Sequence, residues 1–216
     1  DRAKVMVGVG DNSLERTLGR IEALKGLALD AVVATTPYYF GSSQDDLVYY
    51  YTKIADAAPY PLYLYDLPQA TKVKTELETM EKLSTHKNIH GAKCSHDPVF
   101  VRRLYDALNG PDFEIIHAQY DLMDMFLRYG ANKCLDGFFG VMAPWIGEVK
   151  KAYAKQDFAA ISEIQRKMTA LRCSFFPVGV FPAFTVAMNL LGVAAPTMYC
   201  RQTFAMPARQ HIWIAP

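Results

Sequence analysis

IHGAKCSHDPVFVRRLYDAL, residues 89–108, joins a short apolar run to an amphipathic segment. Ile89–Cys94 has the length and apolar character of a buried strand. Asp97 and Pro98 then follow as an N-cap and a first-turn proline, and the apolar spacing from Val99 onward is that of a helix. The stretch therefore predicts one βα unit, with a lysine inside its strand.

The same unit recurs along most of the chain. The predicted strands are Lys4–Val9, Ala31–Thr35, Pro61–Tyr65, Ile89–Cys94, Phe113–His117 and Cys134–Val141. Capping-box pairs predict three of the helix starts: Asn12 with Glu15, Ser43 with Asp46, and Thr75 with Glu78. After the last strand only helices are predicted: Pro144–Gln156, Asp157–Arg172 and Gly179–Leu191. Strands that alternate with helices predict a parallel sheet.

A parallel sheet of this kind is either open and doubly wound or closed as a barrel. Gly8 and Gly10 supply only the first two glycines of a dinucleotide-binding GxGxxG motif, so the sequence favours the barrel. We predict a TIM (β/α)8 barrel with additional C-terminal helices, of which the chain covers about six of the eight units. The two remaining βα units, of about 30 residues each, are expected before Asp1. Residues 1–143 are predicted to be barrel units three to eight, and residues 144–216 the last barrel helix and a helical extension of the same domain.

Composition excludes several classes of partner. A formal net charge of +1 and an apolar share of 51% give no electrostatic reason to expect nucleic acid or an anionic membrane. The four cysteines are far apart and form no CxxC pair, so neither a zinc site nor a dithiol centre is predicted. We expect a soluble cytoplasmic protein with reduced thiols and no metal.

Three neighbouring strands end in side chains that suit Schiff-base chemistry. Lys93 ends one strand, Tyr65 ends another, and TTPYYF, residues 35–40, brings Thr36 and Tyr39 to a third. Because the carboxyl ends of parallel strands meet at one rim, an amine and several hydroxyls are predicted to lie together. A desolvated amine is a nucleophile towards ketones, and a positioned hydroxyl moves protons.

Taken singly, each of these residues has a structural alternative. A lone lysine at a strand end can extend its amine into solvent, and Tyr65 can be a core aromatic. His117 at the next strand end can touch a substrate or be a satisfied structural histidine. Only the ordered set of strand ends favours the catalytic interpretation.

Five motifs in order, VGVGDNS, TTPYYF, YLYDLPQAT, NIHGAKCS and LDGFFGVMAP, resemble the dihydrodipicolinate synthase and N-acetylneuraminate lyase family of class I pyruvate-dependent aldolases. The resemblance implies the barrel fold, a tetramer built as a dimer of dimers, and no cofactor beyond a covalent imine. By this resemblance Lys93 forms the imine with pyruvate or another 2-oxo acid, Tyr65 relays protons, and Tyr39 reaches the neighbouring subunit's site. The predicted substrate-binding residues are Thr36, Gly137, Phe139 and His117.

Departures from the family pattern bear on the substrate. The diaminopimelate-pathway synthases resembled here carry an arginine where this chain has Ala70, and a guanidinium is hard to replace in carboxylate recognition. The motifs resemble most closely those of the 2-keto-3-deoxy sugar acid aldolases. The predicted function is therefore a Schiff-base lyase that joins or cleaves pyruvate and an aldehyde. The alternatives are 4-hydroxy-tetrahydrodipicolinate synthase, a sugar-acid dehydratase and a non-catalytic family member. The family's Gly-Thr-Thr-Gly type loop would precede Asp1.

Overall fold

Five parallel strands form one sheet in the computed structural model, which describes residues 3–193. The strands are β1 (Met6–Gly8), β2 (Ala31–Thr35), β3 (Leu62–Asp66), β4 (Ile89–Cys94) and β5 (Glu114–His117). They pair in sequence order, β1-β2-β3-β4-β5, and every pair is parallel. The register places Thr35, Tyr65, Lys93 and Ile116 in one row across four strands.

The prediction of a sixth strand over Cys134–Val141 is wrong. Only Cys134 pairs with the sheet, through an isolated parallel bridge to His117, and Gly137–Gly140 forms a 3-10 turn. Two glycines within eight residues weaken a strand, because glycine loses more backbone entropy in an extended ladder and offers no side chain to pack.

Six helices accompany the strands of this part of the chain. They are α1 (Leu14–Leu24), α2 (Gln44–Ala57), α3 (Pro68–Thr71), α4 (Leu77–Ser84), α5 (Pro98–Leu108) and α6 (Met123–Tyr129). The capping box of Ser43 and Asp46 is confirmed, and Asp97 accepts from the backbone N–H of Phe100 as predicted.

Two predicted caps are wrong by one residue. Ser13, not Asn12, caps α1 by accepting from the backbone N–H of Arg16. Glu76, not Thr75, is the N-cap of α4 and makes no side-chain capping bond. In both cases the predicted cap has another task, since Asn12 accepts from the Tyr38 N–H and the Thr75 N–H donates to Asp66.

Strand alternation gives the sheet one fully buried face. On β3, Leu62, Leu64 and Asp66 are buried, whereas the intervening Tyr63 and Tyr65 are partly exposed. The apolar residues of the buried face form one core with side chains from α1, α2, α4 and α5. The row that contains Lys93 lies on the other, half-exposed face.

The chain divides into two compact units, Asp1–Asp136 and Gly137–Pro216. Within the second unit lie α7 (Ala143–Ala154), α8 (Phe158–Phe175) and α9 (Val180–Leu190), which match the three predicted C-terminal helices closely. Phe138 packs against Phe175 and Phe184, with ring centroids 5.5 and 6.0 Å apart. The domain boundary after residue 143 stays a prediction. Over residues 3–193, no helix is both long and apolar enough to cross a membrane.

Candidate active site

Lys93 and Tyr65 form the centre of the candidate site. They occupy paired positions on β4 and β3, and Lys93 Nζ donates a hydrogen bond of 2.8 Å to the Tyr65 hydroxyl. The same nitrogen lies 4.0 Å from the centroid of the Tyr65 ring. Both side chains are partly buried. The parallel register thus brings together an amine and a phenol that are 28 residues apart in sequence.

Ser95 supplies a second polar group at this amine, and sequence reasoning missed it. Lys93 Nζ lies 3.3 Å from Ser95 Oγ, and the backbone N–H of Ser95 donates to the Asp66 carbonyl at 2.9 Å. The i, i+2 spacing from Lys93 was the available signal, because alternate residues of an extended chain share a side. The amine therefore faces two hydroxyl groups.

Tyr39 lies apart from this pair. Its side chain is 83% exposed, and its ring contacts only Phe40 among the ring pairs of the described chain, edge-on at 4.8 Å. Its φ of 85° is in the left-handed region, which is uncommon for a non-glycine residue. The preceding residue is fixed by Asn12, whose Oδ1 accepts from the Tyr38 N–H at 2.6 Å. The loop thus holds Tyr39 outward in an ordered turn.

The structure does not bring Thr36 and His117 to the face of Lys93. Thr36 is fully buried, and His117, 1% exposed, pairs in register with buried Cys94 on the opposite face of the sheet. Alternation is the physical reason, since adjacent residues of a strand point to opposite faces. That Thr36 and His117 bind the substrate stays a prediction.

His117 has the environment of a structural histidine. Its ring stacks on Phe126 with centroids 4.5 Å apart, Nδ1 accepts from the Gln119 N–H, and Nε2 lies 3.3 Å from the Ala131 carbonyl. Burial is the main cause that lowers the pKa of His117 to about 4. The imidazole is therefore neutral at physiological pH and donates through Nε2.

Gly137 and Phe139 lie in the second unit, on the 3-10 turn Gly137–Gly140. Gly137 is exposed and Phe139 partly buried, whereas the intervening Phe138 belongs to that unit's aromatic cluster. Their predicted contact with a substrate stays a prediction.

Thiols and carboxylates form no second centre in the described residues. Cys94, Cys134 and Cys173 are free, and burial raises the pKa of the Cys94 thiol and that of Cys134, the latter to about 12. Within residues 3–193 no group of three histidine, cysteine or acidic side chains is placed to hold a metal ion. The fourth cysteine, Cys200, lies outside the described residues.

The fold and the lysine–tyrosine pair define a class: parallel βα proteins in which an amine and a phenol meet at the carboxyl ends of neighbouring strands. The sequence profile of the Dihydrodipicolinate synthetase family matches residues 1–211, and the chain belongs to that family. The family is one of class I lyases and aldolases.

Relatives and solved structures agree with this assignment. The chain is 30% identical to 4-hydroxy-tetrahydrodipicolinate synthase of Exiguobacterium sibiricum, over 91% of its own length and 68% of the relative's. Dihydrodipicolinate synthase from Acinetobacter baumannii, solved with pyruvate, superposes with a TM-score of 0.82 at 25% identity, covering 92% of this chain and 68% of that one. A variant of the 2-keto-3-deoxygluconate aldolase of Sulfolobus solfataricus has the same fold, with a TM-score of 0.78 at 18% identity, over 88% and 64% of the two chains. The chain spans about two thirds of the length of the curated relatives it matches. These matches confirm the predicted barrel fold, of which this chain forms a part.

Proposed function

We propose that the protein is a Schiff-base lyase that joins or cleaves pyruvate and an aldehyde, acting on a 2-keto-3-deoxy sugar acid type of substrate. The observation that carries the proposal is the 2.8 Å contact between Lys93 Nζ and the Tyr65 hydroxyl on paired strands. Family membership supports the lyase chemistry. The curated relatives are named as synthases, and a structural neighbour of the same fold is named as an aldolase.

In the proposed reaction the neutral Lys93 amine attacks the ketone carbon of a 2-oxo acid, and water leaves to form a protonated imine. The imine nitrogen withdraws electrons, so the adjacent carbon loses a proton and becomes an enamine. The enamine carbon forms a bond to the aldehyde carbon, and the aldehyde oxygen takes a proton, which the Tyr65 hydroxyl is placed to deliver. Water then adds to the resulting imine and breaks its carbon–nitrogen bond, which releases the 2-oxo acid product and the Lys93 amine. Cleavage runs through the same steps in reverse. No dissociable cofactor is proposed.

The hydroxyl groups around the amine support a polyhydroxylated second substrate. Ser95 adds a hydroxyl 3.3 Å from Lys93 Nζ, and the residue at position 70 is an exposed alanine of α3 and not a cation. A sugar-acid chain offers hydroxyls to such partners, whereas a carboxylate-bearing aldehyde is better served by a guanidinium.

Borohydride trapping tests the proposal. Full-length protein incubated with pyruvate and borohydride should carry a stable adduct on Lys93, located by peptide mass mapping. Lys93→Arg, which keeps the positive charge, should take up no adduct. Lys133, which pairs with Glu114 instead of a phenol, is the internal control and should stay unmodified. Wild-type protein without an adduct on Lys93 would exclude the lyase and favour a non-catalytic family member.

The second candidate is 4-hydroxy-tetrahydrodipicolinate synthase, because the relatives at 26–30% identity bear that name. A substrate screen separates the two: turnover of sugar acids supports the first proposal, and condensation of pyruvate with aspartate semialdehyde supports the second. A sugar-acid dehydratase would release a dehydrated oxo acid without an aldehyde. Ala70→Arg should raise activity towards the semialdehyde if the missing guanidinium is what disfavours that substrate.

Assembly and location are further parts of the proposal. We propose a homo-oligomer, a dimer of dimers, in which the exposed Tyr39 reaches the site of the neighbouring subunit; its outward placement supports this. Light scattering on the full-length protein tests the stoichiometry. We propose a cytoplasmic location, which cell fractionation tests.

We also propose that Gly137 and Phe139 contact the substrate.

A further inference from the structure

Asp66 is a buried carboxyl group directly beside the candidate site. It is the last residue of β3, follows Tyr65 and stands opposite Cys94, the neighbour of Lys93. Its side chain is fully buried and points to the helix-covered face. Its carbonyl accepts from the Ser95 N–H at 2.9 Å. Asp66 thus lies next to Tyr65 in the chain and is bonded through its backbone to Ser95, the two residues whose hydroxyls face the amine.

The carboxyl of Asp66 also closes a loop. Asp66 Oδ1 accepts from the backbone N–H of Thr75 at 3.1 Å, so residues 67–75 leave β3 and return to its end. Inside this loop Thr71 Oγ1 donates towards the carbonyls of Leu67 and Val73, each at 3.1 Å. The loop contains α3 and therefore lies directly after the residue that supplies the phenol.

Half of the carboxyl is left without a partner. Asp66 Oδ2 is buried and has no hydrogen-bond partner in the described residues. Burial is the largest effect and raises the pKa of Asp66, whereas the backbone N–H and the hydroxyl of Thr75 beside the carboxyl lower it by less. The ionisable groups that interact electrostatically with it are Tyr51 from α2, Cys94 from β4, His96 after β4 and Lys74 before α4. A buried polar group that is only half satisfied is unfavourable and needs an explanation beyond packing.

We propose that Asp66 is a positioning residue: its carboxyl, by accepting from the Thr75 N–H, closes the loop 67–75 and holds the Tyr65 hydroxyl at the Lys93 amine. This inference rests on the proposed Schiff-base function of the same site. The acceptor oxygen is the essential feature, because the Thr75 N–H has no other acceptor among the hydrogen bonds of the described chain. Charge on the second oxygen is not required.

Three variants of the full-length protein separate the effects of the Asp66 acceptor oxygen, the volume of the Asp66 side chain and the Thr75 N–H donor. Asp66→Asn keeps an acceptor oxygen, Asp66→Leu keeps the volume without an acceptor, and Thr75→Pro removes the donated N–H while leaving Asp66 intact. The rate of borohydride-trapped pyruvate adduct on Lys93 should fall by about tenfold or more in Asp66→Leu and Thr75→Pro, a loss typical of a misplaced catalytic group. Asp66→Asn should restore most of that rate. Thr79→Val, which removes the hydroxyl of a buried threonine on α4 outside the loop, is the matched control and should resemble wild type.

Amide hydrogen exchange at Thr75 gives a readout independent of chemistry. Protection should be present in wild type and Asp66→Asn and lost in Asp66→Leu. Folded Asp66→Leu or Thr75→Pro with the wild-type adduct rate would overturn the proposal, and so would an Asp66→Asn variant as slow as Asp66→Leu. If Asp66→Leu does not fold, Thr75→Pro and Asp66→Asn decide by the same criteria. Absence of any adduct in wild type would instead refute the Schiff-base function, while Thr75 exchange still tests the loop closure.

Discussion

Tyr65 holds the Lys93 amine in two ways at once. The phenol oxygen accepts from Nζ at 2.8 Å, and the same Nζ lies 4.0 Å from the centroid of the ring. The ring packs beside the nitrogen, and the hydroxyl is the group that the proposed reaction would use to move protons. Anchoring and proton transfer are therefore separable by substitution.

Tyr65→Phe should keep the amine in place and slow the proton steps. The phenyl ring preserves the cation–π contact, but general acid–base catalysis typically contributes about 10²–10⁴-fold. We therefore expect the rate at which the methyl protons of pyruvate exchange with solvent deuterium to fall by a factor in that range. NMR measures this rate. Tyr63→Phe is the matched control on the same strand, since its hydroxyl donates to Glu114. Equal losses in both variants would contradict a specific role for Tyr65.

Gly91 is predicted to tolerate no side chain. A Cβ at Gly91 would lie 2.8 Å from Tyr63 Cε1 and would also collide with the Glu114 carbonyl on the next strand. Overpacking of this kind typically costs about 1–3 kcal/mol, so Gly91→Ala should lower the free energy of unfolding by that amount in a denaturant titration. Gly19→Ala is the control, because a Cβ there meets open space on α1 and should stabilise by about 0.5–1 kcal/mol. An unchanged free energy of unfolding in Gly91→Ala would contradict the prediction, because it would mean that Tyr63 and the Glu114 carbonyl can both move away from the new Cβ at no cost.

Asn12→Ala should loosen the turn that carries Tyr39. The substitution removes the acceptor of the Tyr38 N–H, so hydrogen exchange of that amide should accelerate. Ser13→Ala removes the cap of α1, a loss of typically about 1 kcal/mol, without touching the turn. Asn12→Asp keeps an acceptor and should restore protection. Slow Tyr38 exchange in Asn12→Ala would mean that the backbone strain at Tyr39 is held by other contacts.

His117 should make the protein less stable in mild acid. Its folded-state pKa of about 4 lies below the ordinary value of 6.5, so the unfolded chain binds a proton that the folded chain excludes. The contribution of the neutral imidazole to the free energy of unfolding is therefore intact above pH 6.5. It is lost as the pH falls towards 4, by about 3 kcal/mol in total.

His117→Phe should remove this dependence, because the ring can still stack on Phe126 without titrating. Unfolding by denaturant at a series of pH values measures the slope, and His90→Gln, on the same sheet but partly exposed, is the control. An unchanged acid slope in His117→Phe would assign the dependence to other groups. Asp66 acts in the opposite sense, since its raised pKa makes folding less favourable as the pH rises.

The sequence by itself determined the five strands, most of the helices and the residues at the strand ends. The tertiary structure did not override the local signals for these elements. They are apolar runs of four to six residues, Asp97 before Pro98, and Ser43 with Asp46. The strand predicted over Cys134–Val141 was wrong because the apolar residues were given more weight than the two glycines among them. The faces of the sheet on which Thr36 and His117 lie could not be predicted, because a strand end names a residue and only register and alternation decide where its side chain points.

Only the tertiary structure decided which groups meet. Lys93, Tyr65 and Ser95 come together because β3 and β4 pair in one particular register, and a shift by one residue would turn Lys93 towards the helices. The return of residues 67–75 to Asp66 likewise depends on a hydrogen bond across nine residues. Residue type and spacing thus fix which chemistry the chain carries, whereas the pairing of strands fixes the distances at which that chemistry operates.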